Sequence, residues 1–418
     1  MDRVRVGVIG AGGIFQGAHL PAYTQVGEAK LVAICDVSEE RLERASGRLW
    51  AVFEENARTA EARAAEGHAD PALARRLRED AQEVKVYKDY GEMLRSEGLD
   101  MVDVCTPPNL HARTAIDALQ AGCHVLVEKP MAHSWLDCVD MVQAVQSTGR
   151  FYHHGENWLF EPSWYNARKF IEAGVVGEVG LTFLATAHGG PEWAAWFWDP
   201  EISGGGALLD NGIHAITTSW FLAGFDRSPT LVKAAAPVGV STRMRSRVLQ
   251  GQMREVKVED DAHVLIRFDD KESGAWTTCH VEGSWCHRDG PDTSVIGTHG
   301  RITFFTRDGQ HVLCLSDPFE KTREVVVGST GGASSFAGEI RNLCVSIQKG
   351  ERPLCDERIG ADSQAIVGAS YLSQAWDGRA VSPDEFKEFA LGIKRSHGSE
   401  ASRVLVRELH RLKAGKPA

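Results

Sequence analysis

Glu128, Lys129, Asp210 and His214 are the residues whose types and spacing could move a proton. Glu128-Lys129-Pro130 follows at once on His124-Val125-Leu126-Val127, which reads as a buried strand. Proline cannot continue a ladder, so the strand is expected to stop there and leave Lys129 at its carboxyl end. In an open parallel sheet, ligands bind in the crevice beyond those ends. A lysine held there changes protonation far more readily than an arginine. A surface ion pair at a strand end is the alternative reading. Asp210 and His214 lie four residues apart, and on a helix starting at Leu208 they share one face. An aspartate beside an imidazole orients it and raises its basicity. A helix-start cap next to a buried structural histidine is the other reading of that pair. Ser203-Gly204-Gly205-Gly206 precedes it, a loop whose backbone can approach a ligand.

The elements that position Lys129 begin at Val4–Ile9, a short apolar run that ends in Gly10-Ala11-Gly12-Gly13-Ile14-Phe15. A strand, a glycine turn and then a helix is the context a dinucleotide fingerprint needs. Gly10 permits the tight turn, Gly12 admits a pyrophosphate, and the helix N-terminus favours its charge. Phe15 stands where the third fingerprint glycine belongs, with Gly13 nearby. The second run, Leu31 to Cys35, ends in Asp36, which is placed to accept from both ribose hydroxyls of NAD and to repel the extra phosphate of NADP. Val37 and Ser38 supply no compensating cation. The next strand, Asp100 to Cys105, leads into Thr106-Pro107-Pro108-Asn109 and His111. That loop is expected over the same crevice, with His111 either touching ligand or capping its helix. A helix over Trp135 to Gln146 and a sixth strand near Phe151 to His154 complete this part.

Between about Glu39 and Glu83, Glu, Arg and Ala dominate with interleaved signs. The pattern predicts two helices, the second opened by Asp70 and Pro71. Mixed charge of this kind usually marks a solvated face, so residues 49–84 are expected to be a helical insertion with few core contacts and no chemistry. Over the whole 418-residue chain the formal charge is -11, with no long block of one sign, which argues against nucleic acid or an anionic membrane as main partner. No apolar run approaches a bilayer span. The nine cysteines are scattered without C-x-x-C or zinc-like spacing, and no signal-peptide region precedes Val4, so a reduced cytoplasmic setting is expected.

Together these residues resemble the Gfo/Idh/MocA oxidoreductases, relatives of glucose–fructose oxidoreductase and inositol dehydrogenase. The resemblance rests on Gly10-Ala11-Gly12-Gly13 with His19-Leu20-Pro21-Ala22, Asp36, Thr106-Pro107-Pro108-Asn109 with His111, Glu128-Lys129-Pro130, and Gly204-Gly205-Gly206 running on to Asp210-Asn211-Gly212-Ile213-His214. It implies an α/β chain: an N-terminal Rossmann NAD-binding domain, here 1–157, and a C-terminal α/β domain with a large, mostly antiparallel open sheet, 158–418. It implies Lys129 as general acid/base, assisted by Asp210 and His214. The cofactor NAD would touch Gly10, Gly12, Gly13, Ile14, Phe15, Asp36, Thr106, Pro107, Pro108, Asn109, His111, Glu128, Lys129 and Asn157. It also implies assembly into a homodimer or homotetramer through the sheet's open face. Departures are Phe15, the helical insertion and a basic tail after about Lys394.

Tryptophan is dense before the glycine loop, at Trp158, Trp164, Trp193, Trp196 and Trp198. Any one suits core packing, but the cluster also suits the apolar faces of a sugar ring. Trp158, Trp196, Trp198 and His287 are the expected contacts of a carbohydrate or cyclitol substrate. His153, His154, Glu156, His188, Cys279, His280, Cys286 and His287 show no recognised metal-ligand spacing, so no metal is expected. At the end, Leu405, Leu409 and Leu412 form one apolar stripe on a basic helix, suited to packing on its own or a sister subunit. The leading expectation is an NAD-dependent dehydrogenase acting on a secondary alcohol of a sugar, glycoside or cyclitol. A redox-neutral lyase or glycosidase with recycled NAD is a second class, and a non-catalytic nucleotide sensor a third.

Overall fold

A computed structural model describes residues 2–413 of the chain apart from 69, 236–238, 289, 291, 320 and 330–332. The chain divides into two compact units: Met1–Glu128, Met141–Phe160 and Gly331–Glu357 form the first, and Lys129–Asp140, Glu161–Thr330 and Arg358–Ala418 the second. A single cut at residue 157 does not describe this division, because the chain crosses back after the second unit's sheet. Among the described residues no helix is long and apolar enough to cross a membrane.

The first unit is built on six parallel strands: β1 Val4–Ile9, β2 Ala29–Cys35, β3 Lys85–Tyr87, β4 Met101–Val104, β5 His124–Glu128 and β6 Tyr152–Gly155. Their order, β3-β2-β1-β4-β5-β6, is that of a doubly wound dinucleotide fold. The inner strands β1, β2, β4 and β5 are almost wholly buried, as in a sheet covered on both faces, and Asp103 is a charged residue fully buried among them. The order reverses between β1 and β4, so the loops after those two strands bound the switch point.

The charged insertion is not a solvated appendage. It forms two helices, Glu39–Ala65 and Ala72–Glu83. Leu42, Leu49, Val52, Phe53, Ala57 and Leu77 are buried in the same core as Val6 and Ile34. Asp80 takes a two-pronged bond from Arg3 at 2.9 and 2.6 Å. Pro71 rather than Asp70 is the N-cap of the second helix; Asp70 stands one residue earlier and accepts from the Ala72 N–H at 2.9 Å. The returning helix, Ser334–Lys349, buries Ala337, Ile340, Leu343 and Cys344 in this core too.

Among its described residues the second unit holds a nine-stranded mixed sheet. Its main path runs Thr322–Ser329, Gln310–Ser316, Gly300–Arg307, Ser294–Gly297, Val179–Ala187 (β7), Trp276–Ser284, Asp261–Asp269, Ser228–Ala234. Only β7 and Trp276–Ser284 pair in parallel along that path; the other neighbours are antiparallel. Side chains alternate: Val264, Ile266 and Phe268 are buried, while Leu265 and Arg267 face outward. That is the period-2 signature of a sheet covered on one face.

Candidate functional site

The nucleotide end of the first unit is shaped by close backbone contacts. Gly10 has φ 103°, and a Cβ there would meet the Cys105 carbonyl oxygen at 2.6 Å and the Thr106 nitrogen at 2.9 Å. Only glycine fits where the loops after β1 and β4 touch. Gly12 and Gly13 have nothing within 4 Å of an added Cβ, so their backbone stands open to a ligand. The chain then winds through a π-helical turn, Phe15–His19, into Leu20–Tyr23. Phe15 points into the core and is fully buried, so its side chain is no cofactor contact; it fills space on the protein side of the turn. Ile14 is the exposed residue beside it.

Asp36 is a brace as well as a ribose candidate. It accepts from the Ala11 N–H at 2.9 Å, the Ser38 N–H at 2.9 Å and Arg41 Nε at 3.1 Å. The expectation that no cation faces Asp36 is thereby corrected. Arg41 lies in the first turn of the Glu39–Ala65 helix, whose start at Ser38 brings that side chain back over the carboxylate. After β4, Pro107 is extended and Pro108 opens the helix Pro108–Gln120. His111 is buried and its Nε2–H donates to the Thr106 carbonyl at 2.7 Å, so it braces the loop. Asn109 is exposed. The Thr106 hydroxyl is buried and finds no protein partner among the described residues. An orphaned hydroxyl beside a bare glycine backbone at the switch point fits a dinucleotide.

Glu128, at the end of β5 and expected either to brace its loop or to contact cofactor, is bound to a buried histidine. His19 Nε2 lies 2.7 Å from Glu128 Oε1, and Nδ1 lies 2.8 Å from Asp103 Oδ2. The Tyr23 hydroxyl donates to the same Asp103 oxygen at 2.8 Å. Burial pulls the His19 pKa down, but Asp103 and Cys105 together outweigh it and the imidazole ends well above its ordinary value. Burial and then Glu128 push the Glu339 carboxyl well up. His19 stands close enough to Asp103 and Cys105, and to Glu128 and Glu339, to suggest a metal cage. Both ring nitrogens face carboxylate oxygens, so a protonated His19 donates to both and offsets their charge without an ion. The cluster therefore holds protons and locks the ends of β4 and β5. Its one sequence signal was an aspartate inside the apolar β4.

Asn157 donates to the Ser335 hydroxyl at 3.1 Å, and the Trp158 N–H donates to Glu156 Oε1 at 3.2 Å. Both belong to the first unit.

In the second unit, Lys129 Nζ donates to Asp210 Oδ1 at 2.7 Å and to the Asp210 carbonyl at 2.8 Å. Two residues separated by 81 positions are thus brought together as expected. Asp210 sits on a π-helical turn, Leu208–Gly212, that runs into the helix Ile213–Ala223 carrying the buried His214. The uniform α-helix expected from Leu208 is interrupted by that wider turn. Gly206 fits only as glycine, since a Cβ would lie 1.9 Å from the Glu259 carbonyl oxygen. Asn211 and Thr186 of β7 exchange bonds at 2.6 and 2.9 Å. His188, two residues beyond Thr186, lies in the field of Asp210, Lys129, His214 and Arg247; burial lowers its pKa, so it is a neutral imidazole. Its Nδ1 accepts from the Gly190 N–H at 3.0 Å, which leaves Nε2 as the protonated nitrogen.

The tryptophans divide. Trp198 is 3 % exposed, packs on Trp285 with centroids 4.7 Å apart and donates to the Pro191 carbonyl at 3.2 Å. It is a core residue and is withdrawn as a substrate contact. Trp196 stacks on Phe197 at 3.7 Å and keeps partial exposure. His287 is partly exposed and its Nε2 lies 3.0 Å from Glu282 Oε1.

Residues 4–156 match the sequence profile described as the oxidoreductase family with an NAD-binding Rossmann fold, and residues 164–303 match the GFO/IDH/MocA C-terminal domain. The chain is 28 % identical to the D-glucoside 3-dehydrogenase of Escherichia coli K12 over 53 % of this chain and 54 % of that protein, so the match spans about half the relative's length. It is 25 % identical to the D-apiose dehydrogenase of Paraburkholderia graminis over 91 % of this chain and 90 % of that one. A solved structure of levoglucosan dehydrogenase with NADH and levoglucosan shares the fold, with TM-score 0.73 and 21 % identity over 91 % of this chain and 99 % of that one. The two profiles meet the two units in order, and the chain belongs to the GFO/IDH/MocA oxidoreductase family, with its NAD-binding Rossmann fold.

Proposed function

We propose that this protein is an NAD-dependent dehydrogenase that oxidises a secondary alcohol of a sugar, glycoside or cyclitol, or reduces the corresponding ketone, with Lys129 as general acid/base. The observation that carries the reading is the Lys129–Asp210 pair, in which a lysine directly following the last residue of β5 donates two bonds to one aspartate. The names of the relatives point to the substrate class, since they include glucoside, apiose and inositol dehydrogenases.

Gly12, Gly13 and the Thr106 hydroxyl would hold the pyrophosphate side of NAD, and Asp36 the ribose. Bound NAD supplies the hydride acceptor. Lys129, in its amine form, takes the hydroxyl proton while the C–H electron pair leaves as hydride and the carbon–oxygen double bond forms. An ordinary ammonium, with a pKa of about 10.4, is a poor source of free amine at neutral pH. Asp210 takes two Nζ–H bonds and so fixes the direction of the remaining Nζ lone pair in the amine form. His214 would orient the substrate hydroxyl or pass the proton on to solvent. The neutral His188 offers an N–H donor to a substrate oxygen. The same reading includes self-association through the open face of the large sheet.

Incubation with NAD and a panel of methyl β-D-glucoside, levoglucosan, D-apiose and myo-inositol tests it. At least one should give accumulating NADH. Lys129→Met should bind NAD normally and lose about a hundredfold or more in turnover, the scale of a positioned acid/base. Near-full turnover in that variant across pH would remove Lys129 from the mechanism. Product without net NADH would move the assignment to redox-neutral chemistry.

A further inference from the structure

The glycine loop that leads to Asp210 is held from three sides within the second unit. His133, four residues past Lys129, donates from Nε2 to the Pro200 carbonyl at 2.9 Å. Its own carbonyl lies where a Gly204 Cβ would be, at 2.1 Å. From a second side, Glu259 Oε1 accepts from the Gly206 N–H at 2.9 Å, the Leu208 N–H at 3.3 Å and the Tyr371 hydroxyl at 2.6 Å. Ala207 N–H donates to the Glu259 carbonyl at 2.9 Å. The Asp210 N–H in turn donates to the Gly206 carbonyl at 2.9 Å. Glu259 is therefore one bond network away from the aspartate that binds Lys129.

The third side is the C-terminal helix, Ala401–Lys413. Both family profiles end by residue 303, so this helix lies outside what they describe. It buries Leu405, Val406 and Leu409. Arg407 grips Glu201 through two bonds, at 2.8 and 3.0 Å, on the short helix Pro200–Ser203 that leads into Gly204. His410 donates from Nε2 to the Gly204 carbonyl at 3.3 Å, and its ring lies 6.2 Å from that of Tyr371. One helix thus touches the loop directly and also packs on the tyrosine that completes the Glu259 brace. A glycine-rich loop has no side chains with which to hold its own shape, so its geometry must come from such neighbours.

We propose that the C-terminal helix, through Arg407 and His410, is a positioning element of the catalytic loop that keeps Asp210 aligned with Lys129. This rests on the reading of Lys129 and Asp210 as catalytic. Arg407 and His410 act through Glu201 and Gly204.

The test uses the full chain and two readouts. The first is amide hydrogen exchange across residues 204–210 without substrate, which needs no assumption about activity. The second is kcat, KM and NAD affinity with whichever panel sugar the unmodified enzyme oxidises fastest. Arg407→Ala/His410→Ala should speed loop exchange and lower kcat by about tenfold, the order that a small misplacement remote from the chemistry produces. KM and NAD affinity should stay within about twofold in the same variant, because the loop's alignment rather than binding is affected. Reversing the ion pair, Arg407→Glu/Glu201→Arg, should restore both readouts relative to Arg407→Glu alone. Unchanged loop exchange in the double alanine variant overturns the proposal, as does a kcat loss matched by an equal loss of NAD affinity. Failure of the catalytic reading shows separately, as retained turnover in Lys129→Met, while the exchange result still decides whether the helix braces the loop.

Discussion

Asp36 receives three bonds from its own chain, and two of them change what its removal should do. The Ala11 N–H bond ties the end of β2 to the glycine turn, and the Arg41 bond parks a guanidinium beside the ribose position. Asp36→Ala should therefore weaken NAD binding by loosening the turn and also free Arg41 to meet a 2′-phosphate. The expected outcome is a lower kcat/KM with NAD and a shift in the NADP-to-NAD ratio toward NADP, read by steady-state kinetics with both cofactors. A ratio that stays put would mean Arg41 does not reach the ribose. His19 makes a different prediction, because its folded pKa is raised. The folded state then binds its proton more tightly than the unfolded chain, so its contribution is whole below about pH 6.5 and is lost as pH rises through the higher folded value. The raised carboxyl of Glu339 acts in the same direction. Thermal unfolding should show stability falling on the alkaline side of neutrality. His19→Leu should be destabilised at neutral pH by about 3–5 kcal/mol, as for a broken buried ion pair, with a flatter alkaline slope. An equally steep slope in that variant would place the titrating group elsewhere.

Elements were legible where their pattern was strong, and the lapses have physical causes. The strand ending at Glu128 and the helix Trp135–Thr148 lie within two residues of where the sequence places them. The insertion misled because its buried stripe is narrow and alanine-rich: Leu42, Ala45, Leu49, Val52, Phe53, Ala57 and Ala60 recur at helical spacing, while charges fill the other faces. Counting charge favours solvent; following the stripe favours the core. Phe53 is among the largest fully buried side chains. Phe53→Ala should cost about 3–5 kcal/mol, measured by denaturant unfolding of the whole chain. A loss under about 0.5 kcal/mol, the usual surface value, would restore the solvated reading. The wide turn at Leu208–Gly212 was not legible, since one extra residue in a helical turn leaves no periodic trace.

At the scale of the whole molecule, the two-unit plan and the Lys129–Asp210 pairing were readable because motifs marked them, whereas the return of residues 331–357 to the first unit was not. That return depends on long-range packing of Ile340 and Leu343, which look locally like any amphipathic helix. Trp198 was misjudged for a related reason: residue type shows that a ring can stack on a sugar, but only packing decides whether Trp285 already covers it. The same limit applies to assembly, which is written in a sheet face rather than a motif. Leu265, Trp276 and Ile296 are 43 %, 52 % and 37 % exposed. The strand registers put them on one side of the large sheet: Leu265 lies opposite His280, Trp276 opposite Asp269, and Ile296 opposite Leu181, which itself faces Thr278. Apolar residues ranged on one open sheet face invite a second copy, and a two-fold contact uses each of them twice. Leu265→Glu would therefore place two carboxylates in a desolvated interface, with Lys233 on the neighbouring strand offsetting only part of the cost of each. Light scattering behind size exclusion should show the unmodified chain at a multiple of its own mass and Leu265→Glu at the mass of one chain, with NAD affinity retained because the Rossmann core is untouched. An unmodified protein that runs as a single chain at micromolar concentration would leave this face without a sister copy, and the assembly reading would fall with it.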